Sequence, residues 1–142
     1  MTQDLITGWQ RFAKVWEGDS PQVLDDLVAA DVVYRIPPFP DIVGLQGVKD
    51  FVAAFRAGYP NMSVASEEDI VAGDTSVHRW YVEATLSGDS PLLPVGATGK
   101  RATANGTMIF HWSNGRIADA WHFGDWLGWL TQSGVIEGLG SG

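Results

Sequence analysis

A carboxylate near the C-terminus, Asp125, is the residue whose setting best fits chemistry. The pair Asn114-Gly115 is typical of a two-residue β-hairpin turn, and a regular hairpin centred on it pairs Trp121 with Met108. One face of this hairpin then carries a single polar side chain among apolar ones: Ala104, Met108, Phe110, Trp121, Phe123 and Asp125. Apolar surroundings disfavour the charged form of a carboxyl group and tune it to exchange protons near neutral pH. Asp125 is therefore expected to act as a general acid or base.

A structural role for Asp125 is the alternative to this catalytic one. The residue directly precedes the apolar pair Trp126-Leu127, and Asp is a preferred N-cap of helices. The two roles are compatible, because a cap position holds a carboxylate rigidly at the rim of a cavity.

His78 and Tyr34 are two further candidates for catalysis. The residues from 76 to 86 alternate in polarity, and the more apolar set is expected to face the cavity: His78, Trp80, Val82, Ala84 and Leu86. His78 is then a titratable group near the pocket or, alternatively, a hydrogen-bonded core residue. Tyr34 lies on a short strand and either offers its hydroxyl group to a substrate oxygen or packs against the first helix.

The remaining chemistry-bearing residues indicate no cofactor site. His111 and His122 are expected on the opposite face of the hairpin, unless a β-bulge near Gly124 turns His122 inward. The chain has no cysteine, no pair of histidines at metal-ligand spacing, no glycine-rich phosphate loop and no nucleophile elbow. We therefore expect no metal, flavin or nicotinamide.

The candidate residues are positioned by helices that come first and strands that come last. Apolar residues at intervals of three and four predict helices over 5–16, 21–30, 45–58 and 125–133. Period-two patterns and turn signals predict strands over 32–36, 62–72, 76–86, 101–112 and 116–123, with a loop at 87–99. This order predicts an α+β fold, in which a cone-shaped, curved antiparallel sheet packs against the N-terminal helices and encloses a cavity. Residues 1–142 are expected to form one domain.

The composition favours a small-molecule ligand over a polyanionic partner. The 142 residues include seven Trp, six Phe and three Tyr, enough to fill a core or to line a pocket for a flat ligand. The net charge of -8 repels phosphate groups, so neither nucleic acid nor a membrane is expected as a partner. The N-terminal residues lack the features of a signal peptide, which predicts a cytoplasmic protein. Exposed aromatic residues and the acidic surface are compatible with a homodimer through the outer face of the sheet, or with a higher homo-oligomer.

A series of short motifs spans most of the chain. They are Gly44-Leu45-Gln46-Gly47, Tyr59-Pro60-Asn61, Arg79-Trp80, Thr98-Gly99-Lys100-Arg101, Gly106 to Phe110, Asn114-Gly115-Arg116-Ile117, and the spaced pattern Trp121-xxx-Asp125-xx-Gly128-xxx-Gln132-x-Gly134. Together they resemble the SnoaL-like polyketide cyclases of the nuclear transport factor 2-like superfamily.

The resemblance implies a cofactor-free enzyme that closes a ring in an aromatic polyketide by intramolecular aldol condensation, with Asp125 as acid and base. Leu86 and Arg35 depart from the family pattern, in which histidine is common at both positions. Steroid isomerases of the same superfamily carry an Asp where this chain has Ile36, and a Tyr where it has Arg11 or Phe12. Steroid isomerase chemistry is therefore not expected.

These observations predict a polyketide cyclase that acts on an aromatic or polycyclic small molecule. Asp125 removes a C–H proton, the enolate attacks a carbonyl group of the same molecule, and Asp125 returns the proton. The candidates for the aromatic slot that a flat substrate needs are Trp80, Met108, Phe110, Trp121 and Phe123. The alternatives are a cofactor-independent hydroxylase of the same family, which would consume oxygen, and a non-catalytic small-molecule binding module.

Overall fold

The computed structural model describes residues 2–137. Its helices are α1 (Thr2–Glu17), α2 (Leu24–Leu27), α3 (Leu45–Gly58) and α4 (Trp126–Gln132), and a 3-10 turn at Pro21–Val23 precedes α2. Its strands are β1 (Val28–Arg35), β2 (Ile42–Val43), β3 (Ser63–Ala72), β4 (Thr75–Thr85), β5 (Arg101–Ser113) and β6 (Arg116–Gly124). The segment between β4 and β5 contains no helix or strand, as predicted for the loop. The predicted domain also includes residues 1 and 138–142, which lie outside the described residues.

The strands form one curved sheet in the order β2-β1-β6-β5-β4-β3, which with the helices confirms the predicted α+β class. The sheet departs from the predicted antiparallel arrangement at one pair, because β1 runs parallel to β6. No hairpin joins these two strands, so their relative direction is not imposed by a tight turn. The other neighbouring pairs are antiparallel.

The predicted second helix is shorter than its apolar pattern suggests. Ser20 caps the 3-10 turn with which the predicted segment begins, since the Ser20 hydroxyl accepts a hydrogen bond from the Gln22 N–H at 3.3 Å. The helix ends at Leu27, because Val28 has an extended backbone and pairs with Ile117 of β6. Val28 is buried and apolar, so it fits a helical pattern as well as a strand pattern. Its pairing with β6 places it in a strand.

A one-residue bulge in β6 changes which side chains face inward. Asn114 and Gly115 form the predicted turn with φ angles of 52° and 75°, and Trp112 pairs with Ile117 as a regular hairpin requires. The next pair is His111 with Asp119, so the residue between them on β6, Ala118, is an extra one without a partner on β5. Such a shift moves every later side chain of the strand to the other face.

The predicted inward position of Trp121 and Phe123 is therefore wrong. Trp121 pairs with Ile109, and Phe123 with Thr107, on the outer face. There the two rings stack with centroids 5.5 Å apart, and Phe123 is 43% exposed. The predicted homodimer through this face stays a prediction, as does the cytoplasmic location. None of the helices within residues 2–137 has the length and apolar character needed to cross a bilayer.

Two glycines make room for a tryptophan on the inner face of the sheet. Trp80, Gly106 and Gly124 lie in one row across β4, β5 and β6. A Cβ atom at Gly106 would overlap the Trp80 ring, whereas one at Gly124 would lie 3.3 Å from it. The missing side chains let the Trp80 indole lie across the sheet, where glycine within a strand marks a close approach.

The Gly106→Ala substitution should lower the free energy of unfolding by about 1–3 kcal/mol, because the added methyl group overpacks a filled site. Urea denaturation monitored by circular dichroism measures the change. Gly124→Ala is the matched control and should cost less, since its methyl group meets the same ring at 3.3 Å. Equal costs for the two variants would contradict the tighter packing at Gly106, where the added Cβ atom would also lie 2.5 Å from the Phe123 carbonyl oxygen.

Candidate functional site

A cavity lies between the inner face of the sheet and helices α1, α3 and α4, where the fold prediction placed it. The cavity has a water-accessible volume of about 50 Å³, which is enough for a few water molecules. Its wall is almost entirely apolar and rich in indole rings. The lining residues are Trp9, Ala13, Trp16, Phe55, Met62, Val64, Trp80, Val82, Ala104, Met108, His122, Gly124, Asp125, Trp126 and Trp129.

His122 is the polar side chain within this wall. The bulge at Ala118 turns it to the inner face, opposite Met108. The side chain is buried and makes edge contacts with the rings of Trp16 and Trp80, at centroid distances of 5.6 and 5.4 Å. Because burial disfavours the charged imidazole, the pKa of His122 falls from 6.5 to about 3. The histidine is therefore uncharged at neutral pH.

Tyr34 holds this histidine from the neighbouring strand β1. The Tyr34 Oη lies 2.7 Å from His122 Nδ1 and 3.7 Å from the sulfur of Met108. Burial raises the pKa of Tyr34 well above its ordinary value, so the hydroxyl keeps its proton. The nitrogen is the nearer and stronger acceptor, which assigns the hydroxyl proton to the bond with Nδ1 and the imidazole proton to Nε2.

The Nε2 atom of His122 has no protein partner among the hydrogen bonds within residues 2–137. In the assigned tautomer it is a free N–H donor on a residue that lines the cavity. Tyr34 itself does not line the cavity, and it stacks on Phe12 of α1, which is the packing role considered for it. Tyr34 thus acts on the cavity through the imidazole.

Asp125 lies at the mouth of the cavity, where β6 ends and α4 begins. Its Oδ1 accepts a hydrogen bond from the Gly128 N–H at 2.9 Å, which confirms the N-cap role. A Cβ atom at Gly128 would overlap Oδ2, so glycine is required for this placement of the carboxylate. The side chain lines the cavity but is exposed, and the expected enclosure by apolar groups is wrong. Its exposure follows from its place after the last strand residue, at the rim.

The rim is held in place by the other end of α4. Gln132 accepts from the Thr103 N–H at 2.9 Å and donates to the Thr103 carbonyl oxygen at 3.0 Å. Trp126 and Trp129 then project from the helix into the wall, where Trp129 stacks on Phe55. The short helix therefore supplies both a carboxylate and two indoles to the same cavity.

His78 is placed as the core residue that was the alternative to a catalytic one. It is fully buried, and its Nδ1 and Nε2 lie 2.7 Å from Asp69 Oδ1 and 2.8 Å from Ser76 Oγ. Burial lowers its pKa, although Asp69 opposes this effect. His78 faces inward as predicted but does not line the cavity, so a catalytic role would lack contact with a ligand there.

The predicted aromatic slot is only partly assembled. Trp80 and Met108 line the cavity. Phe110 faces inward but lies outside the lining, packed edge-on against Phe12. Trp121 and Phe123 are on the outer face. The sequence placed His122 on the outer face unless a β-bulge near Gly124 turned it inward, and a bulge does so, although it lies at Ala118. Sequence reasoning missed the indoles of α1 and α4, and the glycines at 106 and 124 were the available signal for the inner face.

Four indole N–H groups in the wall have no hydrogen-bond partner. They belong to Trp16, Trp80, Trp126 and Trp129, and each nitrogen is buried. The other unpaired buried side-chain atom among the described residues is Thr131 Oγ1, which is not part of the lining. A buried donor without a partner costs about 1–3 kcal/mol. The unpaired N–H groups of the cavity wall therefore lower the free energy of unfolding.

Metal-ligating side chains do not converge in the described part of the chain. Within residues 2–137, no three His, Asp or Glu side chains are arranged to hold a metal ion. The expected absence of a cofactor stays a prediction, as does the expected absence of a nucleic-acid partner.

Comparisons with solved structures identify several proteins with this fold. A candidate SnoaL-like polyketide cyclase from Jannaschia sp. CCS1 matches with a TM-score of 0.85 at 20% identity, over 95% of this chain and 94% of that one. TsrD from Streptomyces laurentii matches with a TM-score of 0.83 at 23% identity, over 96% and 98% of the two chains. AclR, a candidate hydroxylase from Streptomyces galilaeus, matches with a TM-score of 0.82 at 14% identity, over 98% and 86%.

A comparison with curated proteins finds none that matches the sequence. A family model does match, and it covers residues 8–133, which include most of α1, the sheet, the cavity wall and α4. The match confirms the resemblance drawn from the motifs, and the chain belongs to the SnoaL-like polyketide cyclase family.

Proposed function

We propose that this protein is a cofactor-free polyketide cyclase that closes a ring by intramolecular aldol condensation. The observation that carries the proposal is the pairing, in one indole-lined cavity, of a carboxylate at the mouth and an uncharged histidine in the wall. Membership of the family supports a polyketide as the class of substrate. An aldol closure needs a base for a C–H proton and a donor for the oxygen that gains charge, and Asp125 and His122 supply one each.

In the first step, the Asp125 carboxylate takes a proton from a carbon between two carbonyl groups. The Oδ1 atom stays on the Gly128 N–H, so Oδ2 is the proton acceptor. The resulting enolate carbon attacks a second carbonyl carbon of the same molecule, and a C–C bond forms as the C=O π bond breaks. The new alkoxide takes the proton back from Asp125, which regenerates the carboxylate.

His122 stabilises the charge that develops on oxygen during this sequence. Its Nε2–H donates a hydrogen bond to the enolate or alkoxide oxygen, as an uncharged imidazole can do. The Tyr34 hydroxyl fixes the required tautomer through Nδ1. Tyr34 is therefore a positioning residue in this proposal, and His78 takes no part in it.

The proposal requires the cavity to widen around its substrate. A volume of about 50 Å³ holds water molecules, whereas ligand pockets typically measure about 300–1,000 Å³. Met62 and Met108 line the wall, and their unbranched thioether chains adapt readily to a ligand. The cavity mouth at α4 is the natural point of access, because the exposed Asp125 lies there.

The Asp125→Asn variant should lose about 10²–10⁴-fold in kcat, because an amide cannot accept the substrate proton. Its melting temperature should stay close to that of the wild type, since Asn caps helices as well as Asp does. The measurement is turnover of an aromatic β-ketoester that carries a tethered ketone, with oxygen consumption followed in parallel.

Asp89→Asn is the matched control for this change. Asp89 also accepts a backbone N–H, that of Ala97 at 3.0 Å, but it does not line the cavity. This control should retain full activity. An Asp125→Asn enzyme as fast as the parent would remove Asp125 from the mechanism, and oxygen uptake coupled to turnover would favour a hydroxylase.

The Tyr34→Phe variant should lower kcat about tenfold with little change in KM, a loss equivalent to one hydrogen bond. Its ¹⁵N spectrum should show His122 leaving the pure Nε2–H tautomer, because Nδ1 loses its donor. Tyr81→Phe, on the outer face of β4, is the control and should change neither quantity. An unchanged tautomer in Tyr34→Phe would contradict the assigned role.

The proposed role also requires His122 to remain uncharged, and this requirement makes the free energy of unfolding depend on pH. The unfolded chain gains a proton at this side chain below about pH 6.5, whereas the folded chain does not until about pH 3. The stability that His122 contributes is therefore present above pH 6.5 and is lost as the pH falls toward 3. From pH 7 to pH 5, the wild type should lose about 2 kcal/mol more of its free energy of unfolding than His122→Gln does.

Urea titrations of both proteins at the two pH values measure this difference. His78 is present in both, so its own contribution cancels. Equal losses would mean that His122 is protonated in the folded protein at pH 5.

A further inference from the structure

A chain of hydrogen bonds between β3, β4 and β5 ends on the carboxylate of Asp69. His78 Nδ1 lies 2.7 Å from Asp69 Oδ1, and His78 Nε2 lies 2.8 Å from Ser76 Oγ. The Trp112 indole N–H donates to the same Ser76 oxygen at 2.8 Å. The chain therefore begins at a group that can only donate, the indole, and ends at one that can only accept, the ionised carboxylate.

These two ends place the imidazole proton of His78 on Nδ1. The Asp69 carboxylate requires an N–H at Nδ1. Burial lowers the pKa of His78, although Asp69 opposes this effect, so the ring carries one proton at neutral pH. Nε2 is then the acceptor of the Ser76 hydroxyl proton. His78 is therefore assigned the tautomer opposite to that of His122.

A second chain of donors reaches the same carboxylate from helix α1. The Trp9 indole N–H donates to the Ser66 hydroxyl at 2.9 Å, and Ser66 Oγ donates to Asp69 Oδ1 at 3.3 Å. The Trp9 ring also lies flat on the His78 imidazole, with centroids 5.0 Å apart and planes 8° apart. Trp9 is thus connected to Asp69 by its N–H group and by the face of its ring.

Trp9 is the member of this network that lines the cavity, whereas Asp69 does not line it. We propose that Asp69 is a positioning residue, which holds the Trp9 indole in the cavity wall through Ser66 and His78. The inference goes beyond the proposed function, because it holds for any molecule that the cavity takes up and involves neither Asp125 nor His122.

The order Asp69, His78, Ser76 is also that of the relay in a serine hydrolase, but here it cannot act on a substrate. The side chains of His78 and Ser76 are fully buried, and the Ser76 oxygen already accepts the Trp112 N–H. A nucleophilic oxygen has to contact the carbonyl carbon that it attacks. The relay therefore orders the core around Trp9 rather than a reacting group.

A fixed Trp9 makes binding in the cavity more favourable. A wall residue that moves among several positions has to be ordered when a guest binds, and this ordering opposes binding. The contacts of Trp9 with Ser66 and His78 order its ring before a guest arrives, which is preorganisation of the site. Loss of the Asp69 carboxylate is therefore expected to weaken binding without any change in the atoms that a guest touches.

The ¹⁵N spectrum of the wild-type imidazoles tests the assigned bonds without any mutation. His78 should appear as the pure Nδ1–H tautomer, which long-range ¹⁵N–¹H correlations distinguish from the Nε2–H form. A His78 ring with its proton on Nε2 would overturn the proposal, because Asp69 would then receive no hydrogen bond from it.

Ser66→Ala and Asp69→Ala interrupt the network at successive points. Ser66→Ala should shift the Trp9 indole N–H signal and leave the His78 tautomer in place, because only the route through the N–H group is lost. Asp69→Ala should change both signals. A Trp9 signal that stays in place in both variants would contradict the connection to Asp69.

Glu68→Ala is the matched control for Asp69→Ala. Glu68 is the neighbouring carboxylate on β3, but it pairs with Arg79 on the outer face of the sheet. Its removal should change neither the Trp9 signal nor the His78 tautomer. Equal effects of Glu68→Ala and Asp69→Ala on both signals would mean that they report a general loss of order in β3, and would overturn the proposal.

Xenon binding measures the consequence for the cavity, because apolar cavities take up this atom. The methyl signals of Met62 and Met108, which line the cavity, report its uptake under pressure. Asp69→Ala should weaken xenon binding about 3–10-fold, a loss equivalent to one hydrogen bond. Asp69→Asn should restore the wild-type affinity, since its amide oxygen accepts the same bonds.

Circular dichroism of each variant shows whether it is folded at the temperature of the titration. Ser66 is exposed, so Ser66→Ala is expected to keep the fold and should weaken xenon binding even if Asp69→Ala does not fold. Wild-type xenon affinity in folded Ser66→Ala and Asp69→Ala, or no uptake of xenon by the wild type, would overturn the proposal. None of these measurements involves turnover, so they stand apart from the test of the cyclase.

Discussion

The extra residue Ala118 in β6 determines which groups of the last strand reach the interior. Without it, the indole of Trp121 would lie opposite Met108 in place of the His122 imidazole, and Phe123 would lie opposite Gly106 in place of Gly124. With it, His122 enters the cavity wall and comes within hydrogen-bonding distance of Tyr34. Strand pairing has a strict period of two, so a single insertion exchanges an entire set of side chains. The chemistry of the site therefore depends on a local irregularity of the backbone.

The room for this arrangement comes from residues that have no side chain. Gly106 and Gly124 lie opposite each other, and the Trp80 indole occupies the space above them. Trp80 in turn contacts His122 edge-on. The bulge, the glycine pair and the two rings thus form one packing unit. The bulge turns His122 to the inner face, and the two glycines let the Trp80 ring lie close to the sheet.

Much of the fold was predictable because its signals are local. Asn114-Gly115 predicted the turn, the alternation in β4 predicted that Trp80 faces inward, and helical spacing predicted α1 and α3. The bulge was not located correctly, because an alanine such as Ala118 fits a regular strand position as well as a bulged one. The contact between Tyr34 and His122 spans 88 residues, and no local pattern encodes such a pair. Asp125 was recognised as a cap from its neighbours, but its exposure depends on where the strand ends.

The seven residues of α4 have a kinetic consequence for the cavity that they border. A helix of two turns does not persist on its own in water, so α4 depends on its attachments. These include Trp129 against Phe55, Gln132 on the Thr103 backbone, and the Tyr59 hydroxyl group on Ser133 at 2.8 Å. Segments held by few contacts open at a lower free energy than the whole domain. We therefore expect α4 to open locally more often than the sheet unfolds, so that exchange of the cavity's contents with solvent does not wait for global unfolding.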